Sequence, residues 1–201
     1  MHTLTLKTDM LPDRMGDDLF FQFCVQNRDL RIERNQNKEI IIMAPTGSET
    51  GHYNSEVLID LGIWNRKYKL GYIFDSSTGF TLPNGAVRSP DVSWIKKEKW
   101  EATAEADRKV FAPICPDFVI EIRSKTDSLK ALKEKMKEYI LNGVHLAWLL
   151  DMKNRETYIY TPKLKEGDDK EIIVLEEVQE FDEKLLGGEI LNDFELDASL
   201  L

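Results

Sequence analysis

Four residues in this chain have the types and spacing that metal-assisted phosphodiester hydrolysis calls for. Asp91 follows Ser89-Pro90 at the head of the strand-like run VSWI. Glu121 interrupts the apolar run FVIEI, Arg123 follows two residues later, and Lys135 lies inside the helical stretch LKALKEKMKEYIL. At neutral pH such hydrolysis uses a metal to activate water and to neutralise charge building on the phosphate. Magnesium takes oxygen ligands and keeps several of its waters, so two or three carboxylates suffice to hold it. Arg123 stays protonated and cannot act as a general base, but its planar fork can clamp a phosphate. Lys135 sits at the edge of an apolar stripe, three after Leu132 and one before Met136, where it can reach back toward the strand.

Each of these residues also has an ordinary structural role open to it. An aspartate after a proline is commonly a turn or cap residue. A glutamate in an apolar strand needs a partner, because an unpaired buried charge is costly. A structural ion pair of Glu121 with Arg123 or Lys135 would serve as well as a metal. Lys135 alone reads as a surface lysine whose stem covers apolar neighbours. Other reaction classes lack parts. The histidines are His2, His52 and His145, and no HExxH, CxxC, GxSxG or GxxxxGK[ST] occurs. Cys24 and Cys115 have no metal-ligand spacing and are expected to be reduced thiols, which points to the cytoplasm.

The elements that must position these residues follow from pattern. Asp17 to Asn27 is expected to be a short helix, and Leu30 to Arg34 with Glu39 to Ala44 a hairpin around the polar turn Asn35-Gln36-Asn37-Lys38. The loop PTGSETG leads into a helix, with Ser48 or Thr50 as its expected cap. Val57, Leu58, Leu61 and Trp64 give that helix one apolar face. Strand pieces at Tyr72 to Asp75 and Gly79 to Leu82 precede the turn Pro83-Asn84-Gly85. The run Ala86 to Ile95 is expected to be a strand, with Pro90 forcing an edge or a bulge. A charged helical segment comes next. Then Phe118 to Arg123 reads as a strand, on which Glu121 and Arg123 point the same way. Leu129, Leu132, Met136 and Ile140 form a helical stripe that Asn142-Gly143 ends. Val144 to Leu150, Thr157 to Thr161 and Ile172 to Leu175 read as further strands. An irregular packed tail is expected from Phe181 on.

Composition sets the remaining bounds. At 201 residues the chain fits one domain, 1–201, with a core over about 17–160 and an acidic extension over about 165–201 that includes Glu166, Asp168 and Asp169. No apolar run is long enough to span a bilayer, so no membrane association is expected. The net charge of −9 argues against broad nonspecific phosphate binding. A locally basic stretch exists between Arg123 and Glu138, where six basic residues face three acidic ones.

Three runs together carry a resemblance: PTGSETG, DSSTGFTLPNGAVRSPDVSWI and CPDFVIEIRSKTDSLKALKEKMKEYILNGVHLAWLLD. From about Asp17 to about Tyr160 the chain resembles the Uma-type family of restriction-endonuclease-like proteins, within the PD-(D/E)XK nuclease superfamily. The resemblance implies an α/β fold of the restriction endonuclease-like kind. A mixed central β-sheet flanked by helices would carry an active site on one edge, with an N-terminal β-hairpin. It implies a magnesium-dependent endonuclease acting on DNA, with manganese as a possible substitute and a homodimer for double-strand cutting. Glu49 then matches the acidic residue of the first core helix, Asp91 the aspartate of the SPD motif and Glu121 the second acidic residue, these three being the expected metal ligands. The superfamily lysine falls at Arg123, and its role passes to Lys135, which stands four residues before Tyr139. The alternative is a catalytically silent nuclease fold that binds nucleic acid or regulates.

Overall fold

Two sheets meet at the Ser89-Pro90-Asp91 corner. The computed structural model describes residues 3–11, 15–165, 171–181, 184–198 and 201. In chain order the first half comprises β1 (Thr3–Leu6), α1 (Asp17–Gln26), β2 (Arg31–Arg34), β3 (Ile40–Met43), α2 (Ser48–Tyr68), β4 (Gly71–Asp75), β5 (Phe80–Thr81), β6 (Val87–Arg88) and β7 (Val92–Lys96). After α3 (Lys97–Ala102) come β8 (Phe118–Arg123), α4 (Leu129–Leu141), β9 (Leu146–Asp151), β10 (Glu156–Leu164), β11 (Ile172–Glu180), β12 (Lys184–Leu186) and β13 (Glu195–Asp197).

The large sheet has six strands in the order β11-β10-β9-β8-β7-β4, the small sheet has five in the order β1-β3-β2-β6-β5, and β12 and β13 pair as a two-stranded sheet in the tail that was expected to be irregular. Among the described strands, β8 and β9 are the one parallel pair, with Glu121 opposite Leu149 and Arg123 opposite Asp151. A parallel pair needs a long crossover, and α4 supplies it. The large sheet is therefore mixed, and the fold is the α/β architecture expected. The expected hairpin is present as β2 and β3, paired from Arg31 with Met43 to Arg34 with Ile40.

Strand alternation divides the core into two layers. Phe118, Ile120 and Ile122 face one side with Trp148 and Leu150, where they pack against Val57, Leu61 and Trp64 of α2. On the other side Val119, Ala147 and Leu149 meet Met136, Tyr139 and Ile140 of α4. Glu121 shares the α4 side, which is why a helix residue can reach it. The tail closes the α2 side: Phe181, Leu185, Leu191, Phe194, Leu196 and Ala198 are buried in that core, and Trp64 Nε1 donates to the Asn192 carbonyl at 2.8 Å. Glu166, Asp168 and Asp169 of the expected acidic extension lie outside the described residues.

Three local expectations are corrected. The strand expected over Ala86 to Ile95 is two strands in two sheets, β6 and β7, because Pro90 has no N–H to continue a ladder. The α2 helix begins at Ser48 with Gly47 at its N-cap and no side-chain cap, so neither Ser48 nor Thr50 plays that part. Strands β10 and β11 run longer than their apolar segments, since nine consecutive residue pairs hold them together. In α4, by contrast, Ser128 caps the first turn by accepting from the Ala131 amide at 3.4 Å.

Candidate active site

The chain crosses from the small sheet to the large one at Ser89-Pro90-Asp91, and this crossing places Asp91 beside β8. Its Oδ2 accepts from the Ile122 amide at 2.9 Å, and its Oδ1 accepts from Arg31 Nη2 at 3.0 Å. Glu121 lies one residue before that amide, 4% exposed. Its Oε1 accepts from Lys135 Nζ at 2.8 Å and from the Tyr139 hydroxyl at 2.9 Å. Positions 135 and 139 lie one turn apart on α4, so a single helix face delivers both donors.

Lys135 has a second carboxylate partner, which the sequence reading did not single out. Glu33 on β2, 2% exposed, accepts from Lys135 Nζ on Oε1 at 2.9 Å. The same oxygen accepts from the Ser89 amide at 3.0 Å, and Oε2 accepts from Arg88 Nη1 at 3.0 Å. Arg88 continues the network, donating from Nε at 2.7 Å and from Nη2 at 2.6 Å to Glu138 Oε2. Four carboxylates (Glu33, Asp91, Glu121, Glu138) thus face three cations (Arg31, Arg88, Lys135), which leaves one negative charge in excess.

The excess falls on Glu121. Burial raises its pKa most, Lys135 opposes this, and the charges of Asp91 and Glu33 add to the rise, leaving the carboxyl at about 7. Burial also works against ionised Glu33, but Lys135, Arg88 and the Ser89 amide outweigh it and hold that carboxyl down at about 2. The ammonium of Lys135 is nearly equidistant from the two. The extra donors on Glu33 decide which carboxylate is fully compensated. Burial lowers the Lys135 pKa, yet Glu121 and Glu33 together raise it above its ordinary value, so this lysine stays charged. Burial and the neighbouring carboxylates push the Tyr139 phenol well up, and it remains a hydrogen-bond donor.

This cluster lies at the wall of a cavity of about 1080 Å³ between the β2–β3 hairpin and α4, and Arg31, Glu33, Arg88, Asp91, Glu121 and Lys135 all line it. The structure brings together three of the expected site residues, Asp91, Glu121 and Lys135. Two others lie elsewhere. Glu49 is exposed on the first turn of α2, pairs with Lys125 at 2.8 Å and does not line the cavity. Arg123 points to the same side as Glu121, but its Nη1 donates to buried Asp151 Oδ2 at 2.6 Å and its Nε to the Asp127 carbonyl at 3.2 Å. It does not line the cavity either. The residues of this network not singled out from sequence were Glu33, Arg31, Arg88 and Glu138. A period-two reading of the hairpin strand RIER places Arg31 and Glu33 on one face, and that was the available signal.

The donor chemistry here is entirely oxygen, which suits a hard cation such as magnesium. Among the described residues, no three His, Cys, Asp or Glu side chains stand in metal-holding arrangement. A two-carboxylate magnesium site needs no third, because the ion keeps waters. Both donors to Glu121 converge on Oε1, so Oε2 has no protein donor among the described residues. That free oxygen and the uncompensated charge fit a cation.

A family model for Uma2, described as "Putative restriction endonuclease", matches residues 17–199. The chain is similar to the crystal structure of a putative nuclease belonging to DUF820 from Anabaena variabilis. The TM-score is 0.63 at 19% sequence identity, covering 84% of this chain and 87% of that one. No curated protein matches. Among the described residues, no helix is long and apolar enough to cross a membrane. The two chains thus share a fold, and the span matched by the family model runs past Tyr160 through the buried tail. This chain belongs to the Uma2 family, described as putative restriction endonucleases.

Proposed function

We propose that the protein is a magnesium-dependent endonuclease that hydrolyses DNA phosphodiester bonds in the hairpin–α4 cavity. One observation carries this reading: Lys135 Nζ lies 2.8 Å from Glu121 Oε1, beside Asp91, at a buried site with one carboxylate charge in excess. Asp91 and Glu121 are the residues that would hold Mg²⁺ or Mn²⁺, which would supply a Lewis acid and an activated water there. Lys135 remains protonated, so it orients and stabilises negative charge and does not accept a proton. Tyr139 fixes Glu121 through its hydroxyl, and Glu33 fixes Lys135 and Arg88. Glu49 and Arg123 are given no part in this proposal. Cutting both strands would need a second copy of the site, which a homodimer would provide.

The test is nicking of supercoiled plasmid by purified protein in millimolar Mg²⁺ or Mn²⁺. Wild type should convert the plasmid to open circles and Glu121→Gln should not, while the variant melts at or above the wild-type temperature. Nicking by Glu121→Gln at the wild-type rate would overturn the assignment.

A second reading, a catalytically silent nucleic-acid-binding or regulatory module, is favoured by a different observation. Both oxygens of Asp91 already accept from protein donors, Arg31 and the Ile122 amide. A functional cation site is stabilised by its ion, by about 2.7 kcal/mol at one hundred times the dissociation constant. No rise in melting temperature across millimolar Mg²⁺ and Mn²⁺ would support the silent module.

A further inference from the structure

The cavity wall contains two guanidinium groups, and β8 carries a third nearby, so it matters which of them is able to take a substrate phosphate. Arg123 is committed to Asp151 and the Asp127 carbonyl, away from the cavity. Arg88 lines the cavity but is saturated by carboxylates: Nη1 donates to Glu33, and both Nε and Nη2 donate to Glu138. Arg31 differs from both. All of its hydrogen bonds come from Nη2, to Asp91 Oδ1 at 3.0 Å and to the Ser89 carbonyl at 3.5 Å. Its Nε is buried without a partner, and Nη1 has none among the described residues. The side chain is 25% exposed and lines the cavity beside the two carboxylates.

A buried guanidinium donor with no acceptor costs on the order of 1–3 kcal/mol, so its persistence calls for an acceptor that arrives later. With Nη2 held by Asp91, Nη1 is the donor left to give a phosphate oxygen a single charge-assisted hydrogen bond. We infer that Arg31 is the phosphate-contacting residue of the site, taking a non-bridging oxygen of a nucleic-acid phosphodiester while Nη2 keeps Asp91 in place. The inference rests on the nuclease reading and names the residue that holds its substrate. It also gives the small sheet a function, because β2 then carries the phosphate contact and, through Glu33, the anchor of Lys135.

The test is binding of a fluorescein-labelled DNA oligonucleotide, followed by anisotropy in Ca²⁺ with wild type, Arg31→Ala, Arg31→Lys and Arg123→Ala. Arg31→Ala should weaken binding by about 10- to 100-fold, the equivalent of a charge-assisted hydrogen bond of roughly 1.5–3 kcal/mol. It should also reduce the slope of log affinity against log salt by about one, a change that a purely structural role would not produce. Arg31→Lys keeps the charge and should fall between the two, which guards against a folding defect in the alanine variant. Equal affinity and slope in wild type and Arg31→Ala would overturn the assignment alone, as would weakening by Arg123→Ala but not by Arg31→Ala. Wild type that binds no oligonucleotide would overturn both this inference and the nuclease reading.

Discussion

Replacing Lys135 with methionine tests the electrostatic core of the site. The lysine side chain is 13% exposed and its ammonium bridges Glu33 and Glu121, which are 3% and 5% exposed. Methionine fills much of the same space but leaves two buried carboxylates without their shared cation. Removing one partner from a buried ion pair costs roughly 3–5 kcal/mol. In a domain of this size each kcal/mol moves the melting temperature by about 2–4 °C, so the drop should be on the order of 6–20 °C. Circular dichroism melts at pH 7.5 in EDTA measure it. Arg88 and the Ser89 amide still compensate Glu33, so most of the loss should trace to Glu121. The double variant Lys135→Met/Glu121→Gln should therefore recover a large part of the stability, a coupling that a double-mutant cycle reads directly. A Lys135→Met melt within about 1 °C of wild type is what a solvated surface lysine would give, and it would refute the reasoning.

Four further outcomes follow from other parts of the fold. Glu33→Gln should lower both stability and plasmid nicking, because Lys135 and Arg88 lose the carboxylate they share; unaltered nicking would remove Glu33 from the account. Phe194→Ala should cost about 3–5 kcal/mol by urea denaturation, since this ring is buried between Trp64 and Trp148. Gly71→Ala should lower the urea midpoint, because a Cβ there would lie 2.2 Å from the Ile95 carbonyl oxygen and 2.5 Å from the Trp94 ring. Finally, the Arg34 hydrogen bond holds the Asp17 carboxyl below its ordinary 3.8. A lowered folded-state pKa contributes stability that is present above 3.8 and lost as pH falls through the folded value. The stability gap between wild type and Asp17→Asn should accordingly be open at pH 7 and close below about pH 3.8; a gap that stays constant across that range would contradict it.

The large sheet and its helices were legible because each follows a periodic rule. Alternation along FVIEIR put Glu121 on the opposite side from Phe118, Ile120 and Ile122, and the α4 stripe placed Lys135 at the edge of the buried face. What pattern could not supply was the contact between distant pieces. Glu33 and Lys135 are separated by 102 positions, and only the docking of the small sheet against α4 joins them. Glu49 shows the converse: a motif position matched, but the first turn of α2 leaves the carboxylate in solvent with Lys125. Arg123 was placed on the right face, yet the parallel register sets it opposite Asp151, whose buried carboxylate captures it. Pro90 signalled a break in the strand. That the break was a change of sheet, bringing Asp91 to the seam, depended on the tertiary fold.

The measurement that bears most directly on the account is anomalous scattering from crystals of the protein soaked in Mn²⁺. The account predicts an ion held by the Asp91 and Glu121 carboxylates, with Lys135 still beside Glu121 and no contribution from Glu49. An ion bound elsewhere, or no ion at these two carboxylates at millimolar Mn²⁺, would contradict it.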